Sequence, residues 1–319
     1  MRSNTPVPPA LTSEEQELIH RSSKLESRLR RVHALSNFLR KLPLPKRERW
    51  ARRISRSLLP PLDGKLVCPT TIGFRLVISP GDGANYYYDG NYELGTLRVM
   101  SHCLRKGDTF LDVGASVGQM SLHASGLVGP DGRVLAFEPH PVRGASLRLA
   151  IAINERNNIT VFHSGLASEP GPQRLYTERV SPSMISTPSA ENGNSFVDVE
   201  VLTLDSALKN EQVGSVRMMK IDVEGFELEV LRGGQTLLKS KDAPILCMEH
   251  EMYENSLANL EFLASVNDYR FYNLRKRKGR MSKLFHVRTP SDVRRRDNVF
   301  CFLPGHIAEL GECGLFEQD

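Results

Sequence analysis

The stretch TFLDVGASVG, residues 109–118, joins a short apolar run to two glycines that lie four residues apart. An apolar run that enters a glycine turn and continues with helical spacing is typical of a strand followed by a loop and a helix. In open α/β sheets this arrangement places backbone N–H groups and the positive end of a helix dipole at the carboxyl end of the strand, where ligands bind. The stretch therefore predicts a nucleotide-binding loop.

Two acidic residues indicate which nucleotide the loop suits. Asp112 stands directly before the first glycine, and Glu138 ends the next apolar run, twenty residues after Gly118. Asp112 would repel a phosphate, and the loop lacks the middle glycine of the dinucleotide fingerprint GxGxxG. S-adenosylmethionine has an ammonium group, no phosphate, and a ribose diol that can donate hydrogen bonds to Glu138. We therefore predict S-adenosylmethionine as the cofactor, with an NAD-dependent oxidoreductase as the main alternative.

Around this loop, short apolar runs alternate along the sequence with longer segments in which apolar residues have helical spacing. Alternation of this kind is typical of βαβ units and a parallel sheet. Two further strand candidates, YRFYNL and VFCFLP, lie near the end of the chain. The predicted parallel strands cover residues 109–113, 133–137, 159–163, 216–221 and 244–248. The pattern therefore indicates the α/β fold class.

Three longer segments resemble the FkbM family of S-adenosylmethionine-dependent methyltransferases. They are DVGASVGQMSL (112–122), GRVLAFEPHP (132–141) and MKIDVEGFELEVLRGG (219–234). The resemblance implies a class I methyltransferase (Rossmann-like) fold, a seven-stranded, mostly parallel sheet with helices on both faces that ends in an antiparallel pair. It also implies methyl transfer, generally to oxygen, on sugars, polyketides or related small molecules.

The resemblance and the loop together give a set of cofactor-binding residues. Tyr92 and Glu93 match a Tyr-Glu pair of the family, which implies a place against the methionine end of the cofactor. The predicted cofactor-binding residues are Glu93, Asp112, Gly114, Ala115, Ser116, Gly118, Glu138, Pro139 and Asp222.

An alcohol that accepts a methyl group has to lose a proton, which calls for a general base. Candidates should lie where the fourth and fifth strands end, so we predict Asp222, Glu249 and His250 as catalytic residues, and leave open whether Asp222 or His250 is the base. Asp222 with Glu249 or Glu251 would also suit magnesium. Two acids at strand ends are a weak signal, however, and we predict no metal.

The positive charge of the chain belongs to its first segment. Residues 1–62 hold 14 Lys/Arg against 5 Asp/Glu, a net charge of +9. The whole chain has a net charge of +5, so the remaining residues have a net charge of −4. We predict a basic helical extension over 1–62, with two helices interrupted at Pro43 and Pro45. Through residues 13–58 this extension is expected to pack on the body or on a second subunit, or to lie on an anionic membrane. Because the body is slightly acidic, we predict no nucleic-acid partner.

The rest of the chain is expected to form the methyltransferase domain, residues 63–319, with a hairpin and loop over 63–92 and the catalytic core over 93–305. Five widely spaced cysteines without a CxxC pair indicate reduced thiols. No apolar run approaches the ~20 residues that span a bilayer. With no leader-like start, this predicts a soluble, cytoplasmic protein.

We predict an O-methyltransferase that uses S-adenosylmethionine and acts on a hydroxyl of a small molecule or glycan, of the sugar, polyketide or glycolipid type. The second alternative, beside the oxidoreductase, is a non-catalytic cofactor-binding protein recruited through its basic helices. The stretch 168–195, the tyrosines Tyr86 to Tyr88 and the tail LRKRKGRMSKLF are expected to shape the acceptor site.

Overall fold

The computed structural model describes residues 10–43, 45–81, 83–177, 195–250, 256–275, 283–289 and 297–317. The helices in these residues are α1 (Ser13–Lys41), α2 (Arg47–Leu58), α3 (Ala84–Asp89), α4 (Leu94–Cys103), α5 (Gln119–Val128), α6 (Pro141–Ile153), α7 (Leu204–Asn210), α8 (Glu227–Arg232), α9 (Gln235–Leu238), α10 (Ser256–Val266) and α11 (Pro304–Leu310). The strands are β1 (Leu66–Pro69), β2 (Arg75–Ile78), β3 (Thr109–Val113), β4 (Arg133–Phe137), β5 (Ile159–Phe162), β6 (Gly165–Leu166), β7 (Gly171–Tyr176), β8 (Phe196–Leu202), β9 (Met218–Ile221), β10 (Ile245–His250), β11 (Arg270–Arg275), β12 (Lys283–Val287) and β13 (Asp297–Phe302).

Within the described residues, the main sheet has eight strands in the order β12-β11-β13-β10-β9-β3-β4-β5. Strands β10, β9, β3, β4 and β5 run parallel, and β13 is antiparallel to both β10 and β11. This confirms the predicted class I methyltransferase fold, although the sheet has eight strands instead of seven. The extra strand, β12, pairs antiparallel with β11 at the sheet edge. Its five residues lie within a basic segment, so alternation of apolar and polar residues did not reveal it.

A smaller sheet interrupts the regular alternation. Strand β8 pairs antiparallel with β7 and parallel with β6. It was unexpected because the residues of β7 are mostly exposed and lack a buried apolar run. Residues 178–194 of the predicted acceptor-shaping stretch and residues 276–282 of the predicted acceptor-shaping tail lie outside the described residues. The tyrosines Tyr86 to Tyr88, expected in a loop, belong to helix α3.

The loop between β3 and α5 is held by contacts that only glycine allows. Gly114 has φ 83°, and a Cβ added there would lie 1.9 Å from the backbone oxygen of Asp222. Gly118 has φ 89°, and its added Cβ would lie 2.3 Å from Leu147 Cδ1 on α6. The first glycine therefore brings the loop against the end of β9, and the second lets α5 pack on α6.

The N-terminal helices pack on the body. A capping box starts α1, in which Thr12 Oγ1 accepts the Glu15 N–H at 3.2 Å and Glu15 Oε2 accepts the Thr12 N–H at 2.8 Å. Buried Leu29 and Val32 of α1 belong to the same apolar cluster as Leu147 of the methyltransferase core. The extension and the body therefore share one core, while the predicted boundary at residue 62 stays a prediction.

Polar contacts add to this packing. Buried His33 contacts the Tyr87 carbonyl oxygen through Nε2 at 2.9 Å, and Asp89 at the end of α3 pairs with both Arg40 and Arg52. The N-terminal helices therefore hold α3 in place. In the described part of the chain, no helix is long and apolar enough to cross a membrane.

Candidate cofactor and catalytic site

A cavity opens where strands β3, β4, β9 and β10 end. Its lining residues come mainly from these strand ends, from the loop before α5 and from α3 and the residues before α4, with further residues from α5, α6 and β7. The residues that line it are Gly81, Asn85, Tyr86, Tyr92, Glu93, Asp112, Gly114, Ala115, Ser116, Gln119, Met120, Glu138, Pro139, Arg143, Leu175, Lys220, Asp222, Val223, Glu224 and Glu249. The cavity therefore lies at the sheet edge that the glycine loop predicted.

Glu138 is fixed in the cavity wall by the backbone. Its Oε2 accepts the Ser116 N–H at 2.7 Å, and its Oε1 accepts the His140 N–H at 2.8 Å. A carboxylate offers about four acceptor positions, so each oxygen can accept one further hydrogen bond. Burial raises the pKa of Glu138 to about 7, against the lowering effect of the backbone N–H groups. This arrangement fits a ligand that donates two hydroxyls, such as a ribose diol.

Asp112 forms a second buried acidic position. It is 2% exposed, and its Oδ2 accepts the Ser121 hydroxyl at 2.5 Å. Burial raises the pKa of Asp112 to about 6. A buried carboxylate in a cavity wall favours a cationic ligand group and disfavours a phosphate. The pair of acids therefore fits S-adenosylmethionine better than a dinucleotide.

Tyr92 and Glu93 are positioned by neighbouring amides. Gln119 accepts the Tyr92 N–H through Oε1 at 2.8 Å and donates from Nε2 to the Tyr92 carbonyl oxygen at 2.7 Å. Glu93 Oε2 accepts a hydrogen bond from Asn298 Nδ2 at 2.8 Å. These bonds keep both residues in the cavity wall at the start of α4.

The backbone around the cavity is strained at three places. Glu93, Ser116 and Glu224 are non-glycine residues with φ of 48°, 50° and 55°, and all three line the cavity. Such conformations cost about 1–3 kcal/mol each and cluster at functional sites. Their presence together in the lining supports a functional cavity.

A lysine and two acids from the ends of strands β9 and β10 form a second charged group in the cavity lining. Lys220 is 1% exposed within the otherwise apolar strand β9, and its Nζ lies 2.9 Å from Asp222 Oδ2. Burial raises the pKa of Asp222, but the Lys220 charge and hydrogen bonds from Lys220 and Glu249 outweigh it, so that the pKa is lowered. Burial and the Asp222 charge raise the pKa of Glu249 to about 10. At neutral pH, Asp222 is therefore ionised and Glu249 protonated.

The predicted residues divide into two groups. All of the predicted cofactor residues except Gly118 line the cavity, as do Asp222 and Glu249 of the catalytic set. Gly118 starts α5 and serves the packing of that helix. His250 is buried and does not line the cavity, because successive residues of a strand point to opposite faces and Glu249 takes the inward position. The geometry therefore favours Asp222 over His250.

Sequence reasoning assigned no role to Lys220, Gln119 or Arg143, which also line the cavity. A signal for Lys220 was present, since a single lysine in a buried apolar strand needs an acidic partner. Gln119 gave no such signal, because its contact with Tyr92 joins residues that are 27 positions apart.

Asp222, Glu224 and Glu249 each place one oxygen within 4.8 Å of the others, a spacing that a metal ion would fit. Acids alone do not make a metal site, and Glu251 lies outside the described residues. The absence of a metal stays a prediction.

Removal of divalent cations is expected to leave methyl transfer unchanged. Lys220 Nζ already supplies a positive charge 2.9 Å from Asp222, so this carboxylate has a cationic partner within the chain. The rate of methyl transfer should be measured after dialysis against EDTA. A loss of rate that magnesium restores would contradict the prediction.

Substitution of Glu138 by Gln is expected to weaken binding of S-adenosylhomocysteine about 10-fold to 100-fold, because hydrogen bonds to a charged group contribute about 1.5–3 kcal/mol. In the wild type the ionised carboxylate is the binding form, so affinity is greatest above the pKa of about 7 and should fall about tenfold between pH 8 and pH 6. Calorimetric titration at both values checks this. An equally steep pH dependence in Glu138→Gln would assign the effect to another group.

Comparisons with known proteins place this site in a family. The model of the methyltransferase FkbM domain matches residues 112–272. The methyltransferase sdnD of Sordaria araneosa is 29% identical over 39% of this chain and 59% of its own length. The 31-O-demethyl-FK506 methyltransferase FkbM of Streptomyces tacrolimicus is 30% identical over 41% of this chain and 60% of its own length. The chain thus spans about three fifths of the length of these relatives.

Solved structures give looser matches. A putative rRNA-methylase from Clostridium thermocellum is 12% identical, with a TM-score of 0.40 over 66% of this chain and 94% of that one. The matched family segment covers half of the chain, including the end of β3, the glycine loop, Glu138, Asp222 and Glu249. S-adenosylmethionine, the predicted cofactor, is the methyl donor that this match implies. The resemblance found in the sequence is confirmed, and this protein belongs to the FkbM methyltransferase family.

Proposed function

We propose that this protein transfers a methyl group from S-adenosylmethionine to a hydroxyl oxygen of a small molecule or glycan. The observation that carries the proposal is that one cavity contains both Glu138, fixed to accept hydrogen bonds, and Asp222, a carboxylate kept ionised by Lys220. The first suits the nucleoside of the cofactor, and the second suits the acceptor hydroxyl.

When bound, S-adenosylmethionine supplies a methyl group that is already electrophilic. The chain has two tasks, which are to hold the acceptor in line and to remove its proton. Alignment of reacting groups contributes up to about 7–11 kcal/mol. Glu138 would hold the ribose, and Glu93 and Asp112 would hold the cationic methionine end.

Asp222 is the group that we assign to the proton. The hydroxyl becomes much more acidic as its oxygen forms a bond to carbon, so an ionised carboxylate of low pKa is a sufficient base late in the reaction. Lys220 holds Asp222 at 2.9 Å and keeps it ionised. Protonated Glu249 donates a hydrogen bond to Asp222, which further stabilises the ionised carboxylate in the cavity lining.

The acceptor that we propose is a hydroxylated small molecule of the polyketide, sugar or glycolipid type. The name of the 31-O-demethyl-FK506 methyltransferase states an O-demethyl acceptor for that relative. In this chain Tyr86, Tyr92 and Leu175 add apolar surface to the cavity lining beside its acids. Such a wall suits a carbon skeleton, while Asp222 suits its hydroxyl.

The thiols support the predicted cytoplasmic location, which we keep as part of the proposal. All five cysteines are free, and four of them are buried. Reduced thiols are usual in a reducing compartment.

Two measurements, made one after the other, test the proposed function. A thermal shift with S-adenosylhomocysteine, NAD and NADP comes first, because a ligand at a hundred times its Kd stabilises a fold by about 2.7 kcal/mol. Methyl transfer from labelled S-adenosylmethionine to a panel of hydroxylated acceptors follows, with mass spectrometry of the product. A melting temperature raised by NAD alone would overturn the assignment of S-adenosylmethionine as the cofactor. A labelled methyl group on a nitrogen or carbon of the product would overturn the proposal of O-methylation. Binding without transfer to any acceptor would favour a non-catalytic protein.

A further inference from the structure

The outward face of the N-terminal helices carries large apolar side chains that nothing in the described chain covers. Phe38 is 58% exposed, Trp50 is 56% exposed and Leu35 is 40% exposed. These three belong to α1 and α2, whereas Leu29 and Val32 of α1 face the core. Helices of a stable domain usually bury such residues, so the exposed set indicates a surface that meets a partner.

Phe38 and Trp50 lie at one end of an antiparallel helix pair, and Leu35 lies about one turn before Phe38 on α1. Arg28 of α1 donates to the Leu58 carbonyl oxygen at the end of α2, and Arg40 near the end of α1 lies 3.2 Å from Glu48 in the first turn of α2. Phe38 and Trp50 are each within about one turn of the segment that joins the helices.

Exposed basic residues lie around this apolar set on both helices. On α1, Arg31 precedes Leu35 by four positions and Lys41 follows Phe38 by three, which places them on the same side of the helix. At α2, Lys46 precedes Trp50 by four positions and Arg53 follows it by three. Arg49 is the residue directly before Trp50. We call these eight residues the outer face. They are Arg31, Leu35, Phe38, Lys41, Lys46, Arg49, Trp50 and Arg53.

The outer face is strongly positive. Residues 28–58 contain eleven Lys/Arg and one acid, Glu48, which pairs with Arg40. Among the described residues, no carboxylate lies within 4.0 Å of the five basic side chains of the outer face. The rest of the chain after residue 62 has a net charge of −4. Positive charge is thus concentrated where the apolar side chains are exposed.

We propose that the outer face docks on a bilayer surface that contains anionic lipids. Basic side chains meet the lipid headgroups, while Trp50, Phe38 and Leu35 enter the boundary between headgroups and acyl chains, where tryptophan is enriched. The charge pattern argues against a second copy, because a twofold contact would set the positive face against itself. A nucleic acid would match the charge but leave the aliphatic and aromatic side chains without an apolar partner.

The experiment uses the full chain and a probe that it already contains. Trp50 is the single tryptophan of the sequence, so fluorescence excited at wavelengths beyond tyrosine absorption reports its surroundings alone. With vesicles of phosphatidylcholine and phosphatidylserine, the emission should shift to the blue and be quenched by lipids brominated on the acyl chains. Vesicles of phosphatidylcholine alone should give neither effect, and high salt should weaken both. Unchanged emission with the anionic vesicles would overturn the proposal.

Matched variants separate this surface from general charge. Replacement of Lys41, Lys46, Arg49 and Arg53 by Gln should lower partition into anionic vesicles by roughly 600-fold, at about fivefold for each of the four basic residues. The control replaces four exposed basic residues of the body by Gln, namely Arg98, Lys209, Lys239 and Lys241. An equal loss in both variants would overturn the proposal.

Apolar variants test insertion while they keep the probe. Leu35→Ser with Phe38→Ser should lower partition at least tenfold, whereas Phe196→Ser, at a residue 44% exposed on β8, should not. Melting temperatures of all variants should match the wild type, since every position is exposed. Analytical sedimentation tests whether a second copy of the chain covers this surface instead. A wild type that sediments as a dimer, together with a Leu35→Ser/Phe38→Ser variant that sediments as a monomer, would overturn the bilayer proposal.

Discussion

A chain that begins at residue 63 is expected to be unfolded at 25 °C, although it retains every strand of the main sheet. The deletion removes four buried apolar side chains, Leu29, Val32, Ala51 and Leu59, which cover the body. Burial of a Val or Leu side chain contributes about 1.5–3 kcal/mol, and whole domains have only about 5–15 kcal/mol of stability. The burial free energy lost in the truncated chain is therefore comparable to the whole unfolding free energy of a domain.

The deletion also uncovers the partners of these residues. Val67 N–H donates to Ser22 Oγ at 3.0 Å, and Asp89 loses both of its arginine partners. Asp89 is 5% exposed at its side chain, and a buried charge that loses its partner costs about 3–5 kcal/mol. The helix α3, which supplies Asn85 and Tyr86 to the cavity, would lose its support first.

Circular dichroism and urea unfolding of the truncated chain check this expectation. Leu29→Ala serves as an intermediate case and should cost about 2–5 kcal/mol of unfolding free energy. Phe38→Ser with Trp50→Ser serves as the control, because both side chains are exposed and their loss should leave the stability nearly unchanged. A truncated chain that folds and binds S-adenosylhomocysteine would show that the extension is an independent unit.

Substitution of Asp222 by Asn is expected to lower methyl transfer about a thousandfold. A general base contributes about 10²–10⁴-fold, and Asn has a nearly identical shape but cannot accept a proton. Binding of S-adenosylhomocysteine should weaken less than tenfold, because Glu138 and Asp112 are unchanged. The turnover number on an acceptor from the panel and calorimetric titration give the two readouts.

This variant also leaves Lys220 buried without its anionic partner, so the stability should fall by about 3–5 kcal/mol. The double variant Lys220→Met/Asp222→Leu separates the two effects. Replacement of a buried ion pair by apolar side chains is often neutral, so stability should return while methyl transfer stays lost. Recovery of both together would mean that Asp222 has a structural role only.

His250→Ala provides the contrast on the same strand end. His250 is buried and outside the cavity lining, so the turnover number should change by less than about threefold once the protein is saturated with cofactor, even where stability falls. A loss as large as that of Asp222→Asn would restore His250 as the base.

The sequence determined the central α/β unit and most of the cofactor wall because both depend on local patterns. Apolar runs of five residues, glycines after β3 and an acid at the end of β4 are readable within about thirty residues. Parallel strands end at one edge of a sheet, so Asp112, Glu138, Asp222 and Glu249 could be expected to meet there. Each of these four lines the cavity.

Tertiary structure decided what depends on contacts between distant residues. Gln119 holds Tyr92 across 27 positions, and Asn298 holds Glu93 across 205. The choice between Asp222 and His250 required the orientation of β10, because a shift of one residue reverses which side chain faces the cavity. The basic helices are amphipathic in sequence, but only their packing on α3 and the core separates the buried Leu29 from the exposed Phe38. Periodicity gives two faces of a helix, and the surrounding fold decides which of them is buried.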